Sequence, residues 1–212
     1  MYLELCKYNT LVPQDLESTI EEIYSSIDMD FLGIALPLFI LKRIYQEISS
    51  IDNYVISVPI DYPLGMSDEK VRSHQCVRAM RCNANRLDIT VNPYLVENEK
   101  YSAIQKEFST IVKLCDEYNA VARAIINFDF FDLKKAILCC RALEQAGVEY
   151  IISCSGLRNV DISDSIMFCK SIEEKTSLST ICSGSAWLEK HHNSVIGADI
   201  HGFRVYSIKS LF

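Results

Sequence analysis

The chain has 212 residues, of which 49% are apolar and 23% are charged, and its net charge is −7. This length and composition are typical of a globular protein with a sizeable buried core. The acidic balance, and the absence of any basic run longer than two residues, argue against a nucleic-acid or anionic-membrane partner.

The nine cysteines are an odd number and include no CxxC pair. This pattern favours buried reduced thiols in a cytoplasmic protein over a disulfide scaffold. The N-terminal stretch MYLELCKYNT has no secretory signal pattern, and the longest apolar run, at 31–41, is too short to span a bilayer. We expect no metal or cofactor, because His191 and His192 are adjacent and lack a partner at ligand spacing.

Short apolar runs rich in Ile, Val and Tyr recur along the chain and are typical of strands buried on both faces. Eight such strands are predicted, at residues 2–9, 31–36, 54–60, 86–92, 120–127, 150–155, 177–182 and 202–208.

Amphipathic stretches fill the intervals between these runs. The first opens on Pro13 and acidic residues, as a helix N-terminus prefers. Ser67 is predicted to cap the helix after the third strand. Ile104 and Phe108 belong to one apolar stripe of a later helix. Gly147 stands where the next helix should end.

The alternation of eight strands with helices predicts an α/β fold, a (β/α)₈ TIM barrel that forms a single domain over residues 1–212. The eighth helix is expected to be truncated, because the sequence stops at Phe212, directly after the last strand. A barrel wall left uncovered there would need a second copy of the chain, as in a homo-oligomer, or a protein partner.

The C-terminal ends of barrel strands and the loops after them form the active face of this fold. The polar candidates at those ends are Asp88, Asn92, Arg123, Asn127, Cys154, Ser155, Ser183 and Ser207. A period of two places Asp88 with Asn92, and Arg123 with Asn127, on common sides of their strands. The period does not decide which side faces the lumen.

Several strings, taken in order, resemble the deoxyribose-phosphate aldolase family. They are YPLG at 62–65, RLDITVN at 86–92, ARAIIN at 122–127, YIISCSG at 150–156 and CSG at 182–184. The resemblance runs from about residue 9 to the final strand. This family consists of class I, Schiff-base aldolases, and the resemblance implies the same (β/α)₈ barrel here.

The family's chemistry identifies the positions that matter. A lysine on the sixth strand forms a Schiff base with the carbonyl substrate, and a lysine on the seventh strand lowers the pKa of the first. An aspartate on the fourth strand moves protons, and this position resembles Asp88. The first lysine falls on Ile152, and the second falls on Ile181 or Thr180. Isoleucine cannot form an imine, so the resemblance implies that the family's mechanism is lost.

The family's substrate phosphate sits among backbone N–H groups and serines after strands six to eight. The resemblance therefore implies a small carbonyl or phosphorylated ligand, bound by residues at the strand ends. The ligand-binding candidates are Asn92, Asn127, Ser155, Gly156, Ser183, Gly184 and Ser207.

Three functions from different classes stay open. The first is a degenerate aldolase, a pseudoenzyme that binds its ligand without Schiff-base chemistry. The second is an active carbon–carbon lyase with altered chemistry. It would use Asp88 as acid/base, Arg123 to hold an anion, Cys154 as nucleophile, or a relocated amine at Lys7 or Lys209. The third is a structural or assembly protein.

Plain structural roles compete with each of these chemical roles. Asp88 and Arg123 could simply neutralise each other, and Cys154 could be an ordinary buried thiol. Lys7 and Lys209 are more typical of solvated or edge residues than of a displaced Schiff-base amine.

Overall fold

The computed structural model describes residues 1–8, 15–29, 31–48, 54–184 and 189–208. Eight parallel strands close into a barrel in which each strand pairs with its neighbours in chain order. The last strand pairs with the first, with Val205 opposite Leu5, which completes the ring. The predicted TIM barrel is therefore confirmed.

All eight predicted strands are present, and each is shorter than predicted. They are β1 Tyr2–Cys6, β2 Gly33–Ala35, β3 Val55–Ile60, β4 Arg86–Thr90, β5 Val121–Ile125, β6 Tyr150–Ile152, β7 Ser179–Cys182 and β8 Gly202–Val205. Most of the lost residues lie at the C-terminal ends, where polar side chains such as that of Asn92 bond to loop and helix backbone instead of continuing the strand.

Helices connect the strands around the outside. They are α1 Leu16–Asp28, α2 Leu38–Ile48, α3 Glu69–Met80, α4 Pro93–Glu97, α5 Tyr101–Asp116, α6 Leu133–Gln145, α7 Ile162–Glu173 and α8 Glu189–Ile196, with a 3₁₀ turn at Phe128–Phe130. The helix α8 connects β7 to β8, so it is the seventh crossover. The predicted start of the first helix at Pro13, and the place of a truncated eighth crossover after residue 208, lie outside the described residues.

The cap predicted for α3 is wrong by one residue. The side chain of Asp68 accepts hydrogen bonds from the backbone N–H groups of Lys70 and Val71, so Asp68 is the N-cap. Ser67 instead donates its hydroxyl and its backbone N–H to the Asp61 carboxylate. The end predicted for α6 is correct, since Gly147 follows its C-cap with a φ of +90°.

Apolar residues on the two faces of the strands form two separate clusters. Leu5, Ile34 and Ile151 face outward and pack with residues of the surrounding helices. Ala35 and Ile152 face inward and belong to a smaller cluster inside the barrel. The alternation that the sequence predicted is therefore present, and the structure decides which side of each strand faces the lumen.

No helix within the described ranges combines the length and the apolar character needed to cross a membrane. All nine cysteines are free thiols, and only Cys82 is partly exposed. This state agrees with the reduced thiols expected from the sequence.

Candidate functional site

A network of four buried charges lies inside the barrel. Glu4 of β1, Asp88 of β4, Arg123 of β5 and Arg204 of β8 all point into the lumen and are at most 2% exposed. Arg123 Nε lies 2.7 Å from Asp88 Oδ1, and Arg123 Nη2 lies 2.9 Å from Glu4 Oε1. Arg204 Nε lies 2.6 Å from Glu4 Oε2, and its Nη2 contacts Asp88. Each guanidinium therefore contacts both carboxylates.

Neutral side chains complete the hydrogen bonds of this network. Tyr2 and Ser57 donate their hydroxyls to Glu4 Oε1 over 2.8 and 2.9 Å, and Tyr8 donates to Asp88 Oδ2 over 2.9 Å. The guanidinium carbon of Arg204 lies 5.3 Å from the ring centroid of Tyr8. These contacts give the buried charges the partners they need in a dry lumen.

The electrostatics of the network keep Glu4 and the two arginines ionised. Burial alone would raise the pKa of Glu4, but Arg123 and Arg204 outweigh burial and lower it to about 2. Burial would lower the pKa of Arg204, but Asp88 and Glu4 hold it well above its usual range. The carboxylate of Asp88 accepts hydrogen bonds from both arginines and from Tyr8. A carboxylate engaged in this way is a structural counter-ion more than a free acid or base.

An aliphatic layer lies in the lumen toward the C-terminal ends of the strands. Its buried members are Cys6, Tyr8, Ala35, Ile125, Ile152, Ile181 and Tyr206. Ile152 and Ile181 are register partners on β6 and β7, and both are at most 1% exposed. Thr180, the alternative position for the second lysine, points outward and donates its hydroxyl to Glu173 over 2.6 Å. Ile181 is therefore the residue of this pair that faces the lumen.

Three tyrosines lie close together here: Tyr8 and Tyr206 of the aliphatic layer, and Tyr62, which packs against it. The rings of Tyr8 and Tyr62 meet edge-on at 4.9 Å, and Tyr62 donates its hydroxyl to the carbonyl of Ser155 over 3.0 Å. The hydroxyl of Tyr206 shares a 2.5 Å hydrogen bond with that of Ser183. Burial holds the pKa of Tyr206 well above its usual range, so this phenol stays neutral.

The structure brings some of the predicted ligand residues together. Asn127, which has a φ of +50°, accepts the backbone N–H of Ser155 on its Oδ1 over 2.7 Å. Gly156 follows with a φ of +81°. Ser183 donates its backbone N–H to Ser153 Oγ over 2.9 Å. Gly184 follows Ser183, directly before the undescribed residues 185–188.

Other predicted residues lie apart from this group or are engaged elsewhere. Asn92 caps α4, since its Oδ1 accepts the N–H groups of Tyr94 and Leu95. The Glu22 carboxylate accepts a hydrogen bond from the Ser207 side chain. Cys154 donates to the Ser183 carbonyl over 3.0 Å, and burial raises the pKa of its thiol to about 12. A thiol with this pKa is not a thiolate nucleophile at neutral pH.

Of the two lysine candidates, Lys7 is described, and it does not supply an amine to the lumen. Lys7 was expected to be solvated or at an edge, and this is wrong, because it is only 4% exposed. It faces outward from the end of β1, where α1 covers it, and its Nζ lies 2.7 Å from Glu22 Oε2 and donates to the Tyr206 carbonyl. An ammonium held in this ion pair offers no lone pair for imine formation. Lys209 lies outside the described residues.

Sequence reasoning missed Glu4 and Arg204 of the ion network, and it missed the neutral side chains around them, which are Tyr2, Tyr8, Ser57, Tyr62 and Tyr206. A signal for two of them exists, because Glu4 and Arg204 are charges of opposite sign inside otherwise apolar strands. Buried charges of this kind are rarely found without a partner. Within the ranges that the structure describes, no three His, Cys, Asp or Glu side chains are grouped closely enough to hold a metal ion.

Known proteins with similar sequences include several deoxyribose-phosphate aldolases. No family model matches the chain. A deoxyribose-phosphate aldolase of Treponema denticola is 25% identical over 182 residues, which cover 83% of this chain and 84% of the relative. A deoxyribose-phosphate aldolase of Clostridium botulinum is 24% identical over 131 residues, which cover 62% of this chain and 58% of the relative.

Solved structures with the same fold include deoxyribose-phosphate aldolases and related aldolases. The deoxyribose phosphate aldolase of Aeropyrum pernix superposes with a TM-score of 0.84 at 18% identity, over 99% of this chain and 86% of that one. A second aldolase, QR15, gives 0.78 at 18% identity, over 96% of this chain and 88% of that one. The chain is therefore an aldolase-like (β/α)₈ barrel, and its similarity to deoxyribose-phosphate aldolases supports a relationship to that family.

Replacing Glu4 with glutamine should strongly destabilise the fold. The Glu4→Gln variant leaves two buried arginines with one carboxylate, so we expect the free energy of unfolding to fall by about 3–5 kcal/mol. The matched control is Glu97→Gln, which removes an exposed ion pair with Lys135 and should change little. Urea unfolding of both variants at pH 7 measures the difference. Equal, small losses would contradict a stabilising role for the network.

The stability of the fold should also fall at acidic pH. The pKa of Glu4 is about 2 in the folded chain and 4.5 ordinarily, so the unfolded chain takes up the proton first. The contribution of ionised Glu4 is therefore complete above about pH 5 and is lost as the pH falls toward about 2. Urea unfolding between pH 7 and 2 should give a shallower pH dependence for Glu4→Gln than for the wild type. Parallel curves would show that Glu4 does not carry this dependence.

Proposed function

We propose that this chain is a deoxyribose-phosphate-aldolase-type barrel that binds a small carbonyl or sugar-phosphate ligand and lacks Schiff-base aldolase activity. It would be a pseudoenzyme of that family. The observation that carries the proposal is the side-by-side pair Ile152 and Ile181, which faces the lumen where the resemblance expects two lysines.

Schiff-base chemistry depends on a reactive amine in the lumen. Imine formation needs an unprotonated primary amine that reaches the substrate carbonyl. Ile152 and Ile181 have none, and the aliphatic layer around them is built from Ile, Ala, Cys and Tyr side chains. Lys7, the described alternative, is ion-paired to Glu22 on the outer side of the barrel.

The ligand-binding half of the proposal rests on the polar groups beside this layer. Asn127, Ser155 and Gly156 lie together at the ends of β5 and β6, and the Ser183 and Tyr206 hydroxyls form a pair nearby. Hydroxyl and amide groups of this kind suit a ligand that carries hydroxyls or a phosphate. They also lie at the end of the barrel where this fold usually holds its ligands.

The lyase with altered chemistry is less well supported. Asp88 would have to act as acid or base, yet it is fully buried and contacts Arg123, Arg204 and Tyr8. Arg123 would have to hold a substrate anion, yet it already pairs with two carboxylates. These contacts favour the counter-ion role for both residues.

Borohydride trapping tests the missing chemistry. The protein is incubated with acetaldehyde or deoxyribose 5-phosphate, reduced with borohydride and analysed by intact mass and peptide mapping. We expect no saturable adduct, while the Treponema denticola relative treated in parallel gains one on a single lysine. A stoichiometric adduct on Lys7, Lys209 or any other single lysine would overturn the proposal and identify a relocated active site.

A variant with an added lysine serves as the positive control for trapping. Ile152→Lys places an amine in the aliphatic layer, where burial lowers its pKa, so an adduct at position 152 would show that aldehyde reaches the lumen.

Titration calorimetry with deoxyribose 5-phosphate tests binding itself. Asn127→Asp adds a negative charge beside Ser155 and should weaken this binding, whereas the exposed control Asn98→Asp should not. A wild type that does not bind the ligand would leave only an assembly role.

We further propose that the chain is a homo-oligomer in the cytoplasm. The Aeropyrum pernix neighbour is described as tetrameric, and this supports assembly of a similar barrel. Nine free cysteines support a reducing compartment. Light scattering after size exclusion should give a mass that is a multiple of 24.1 kDa. A monomer at micromolar concentration that associates only with an added protein would favour a partner over self-assembly.

A further inference from the structure

A cavity of about 430 Å³ opens at the other end of the barrel, beside the N-terminal ends of the strands. Its size is in the range of small-molecule sites. Arg123 of the buried network lines it from within, and Leu32, which is 54% exposed, lines its outer part. Ile181 of the aliphatic layer also lines it, whereas the polar group at Asn127 and Ser155 lies at the opposite ends of the strands.

The walls of the cavity are largely aromatic and aliphatic. The ring of His201 lies 6.2 Å from that of Tyr2 and 5.4 Å from that of Tyr150, centroid to centroid. Leu32 and Val55 line the cavity with these three rings. At these spacings the three rings already pack on one another, so together they form one wall of the cavity against which a flat, apolar group can pack.

Arg86 places a positive charge in the wall of the cavity. Arg86 lines it and donates one hydrogen bond to the carbonyl of Asn85, and no described carboxylate lies within ion-pair distance of its guanidinium. The nearby Glu173 is already engaged, because its Oε1 accepts hydrogen bonds from Thr180 and from the backbone of His201. An arginine without an acidic partner beside an apolar cavity suits a ligand carboxylate, which it can bind through two hydrogen bonds.

We propose that this N-terminal cavity binds a small aromatic carboxylate. The ring of the ligand packs among Tyr2, Tyr150 and His201, and its carboxylate pairs with Arg86. This site goes beyond the proposed carbonyl or sugar-phosphate site and uses other binding groups, because Arg86, Tyr150 and His201 lie at the N-terminal ends of the strands. Asn127 and Ser155 lie at the C-terminal ends of β5 and β6.

The test uses 1-naphthoate as the probe and 1-naphthylmethanol as its neutral analogue, each titrated into the full chain by calorimetry. We expect the acid to bind at least about tenfold more tightly than the alcohol, since the charged pair is lost with the alcohol. Arg86→Gln should weaken 1-naphthoate by about the same factor and leave the alcohol unchanged. The matched control Arg141→Gln removes an exposed arginine of α6 and should change neither affinity.

A second variant tests the cavity without touching its charge. Leu32→Trp enlarges a half-exposed side chain in the outer part of the cavity and should weaken both probes, with an unchanged circular dichroism spectrum. Amide chemical shifts locate the bound acid, and we expect changes at Tyr150 and His201. Equal affinity for acid and alcohol, no effect of Arg86→Gln, or shifts confined to Asn127 and Ser155 would each overturn the inference. The last outcome would leave the proposed function intact.

Discussion

The pairing of four buried charges is the constraint on which the barrel interior depends. A lone ion in this lumen would cost several kcal/mol, so Glu4, Asp88, Arg123 and Arg204 are stable there only as a complete set. Their side chains come from β1, β4, β5 and β8. The pair Glu4–Arg204 joins the first strand to the last, and Asp88–Arg123 joins two strands on the other side. The network therefore couples correct closure of the barrel to neutralisation of its interior.

The same balance explains why an aliphatic layer follows. Two carboxylates and two guanidiniums leave the network neutral, so no charge is available to compensate a further ammonium in the lumen. A lysine at the position of Ile152 would be stable there mainly in its neutral form, because burial disfavours the charged one. Isoleucine on both β6 and β7 removes that cost and fills the space with dispersion contacts. Stability of this lumen and Schiff-base chemistry at this position thus make opposite demands.

Local pattern predicted the fold well because each strand is a short apolar run between amphipathic stretches. It also placed Asp88 beside Arg123, since their strands are consecutive and pair in register. Glu4 and Arg204 could not be joined in this way, because only closure of the ring brings the two ends of the chain together. The prediction that Lys7 is solvated was wrong for a similar reason. Its partner Glu22 lies on a helix, and the strand pattern does not determine how that helix packs. Strand ends were overestimated where Asn92 caps a helix.

Packing against the helices and the chemistry of the lumen depend on different faces of the same strands. Ile151 packs outward against the helices, while its neighbour Ile152 faces the lumen. Outward positions determine how strands and helices pack, and they can preserve a barrel with a TM-score of 0.84 at 18% identity. Inward positions determine which groups meet a ligand, and they can change without disturbing that packing. A barrel can therefore keep its overall shape while the groups in its lumen change, because adjacent residues of one strand are subject to separate physical constraints.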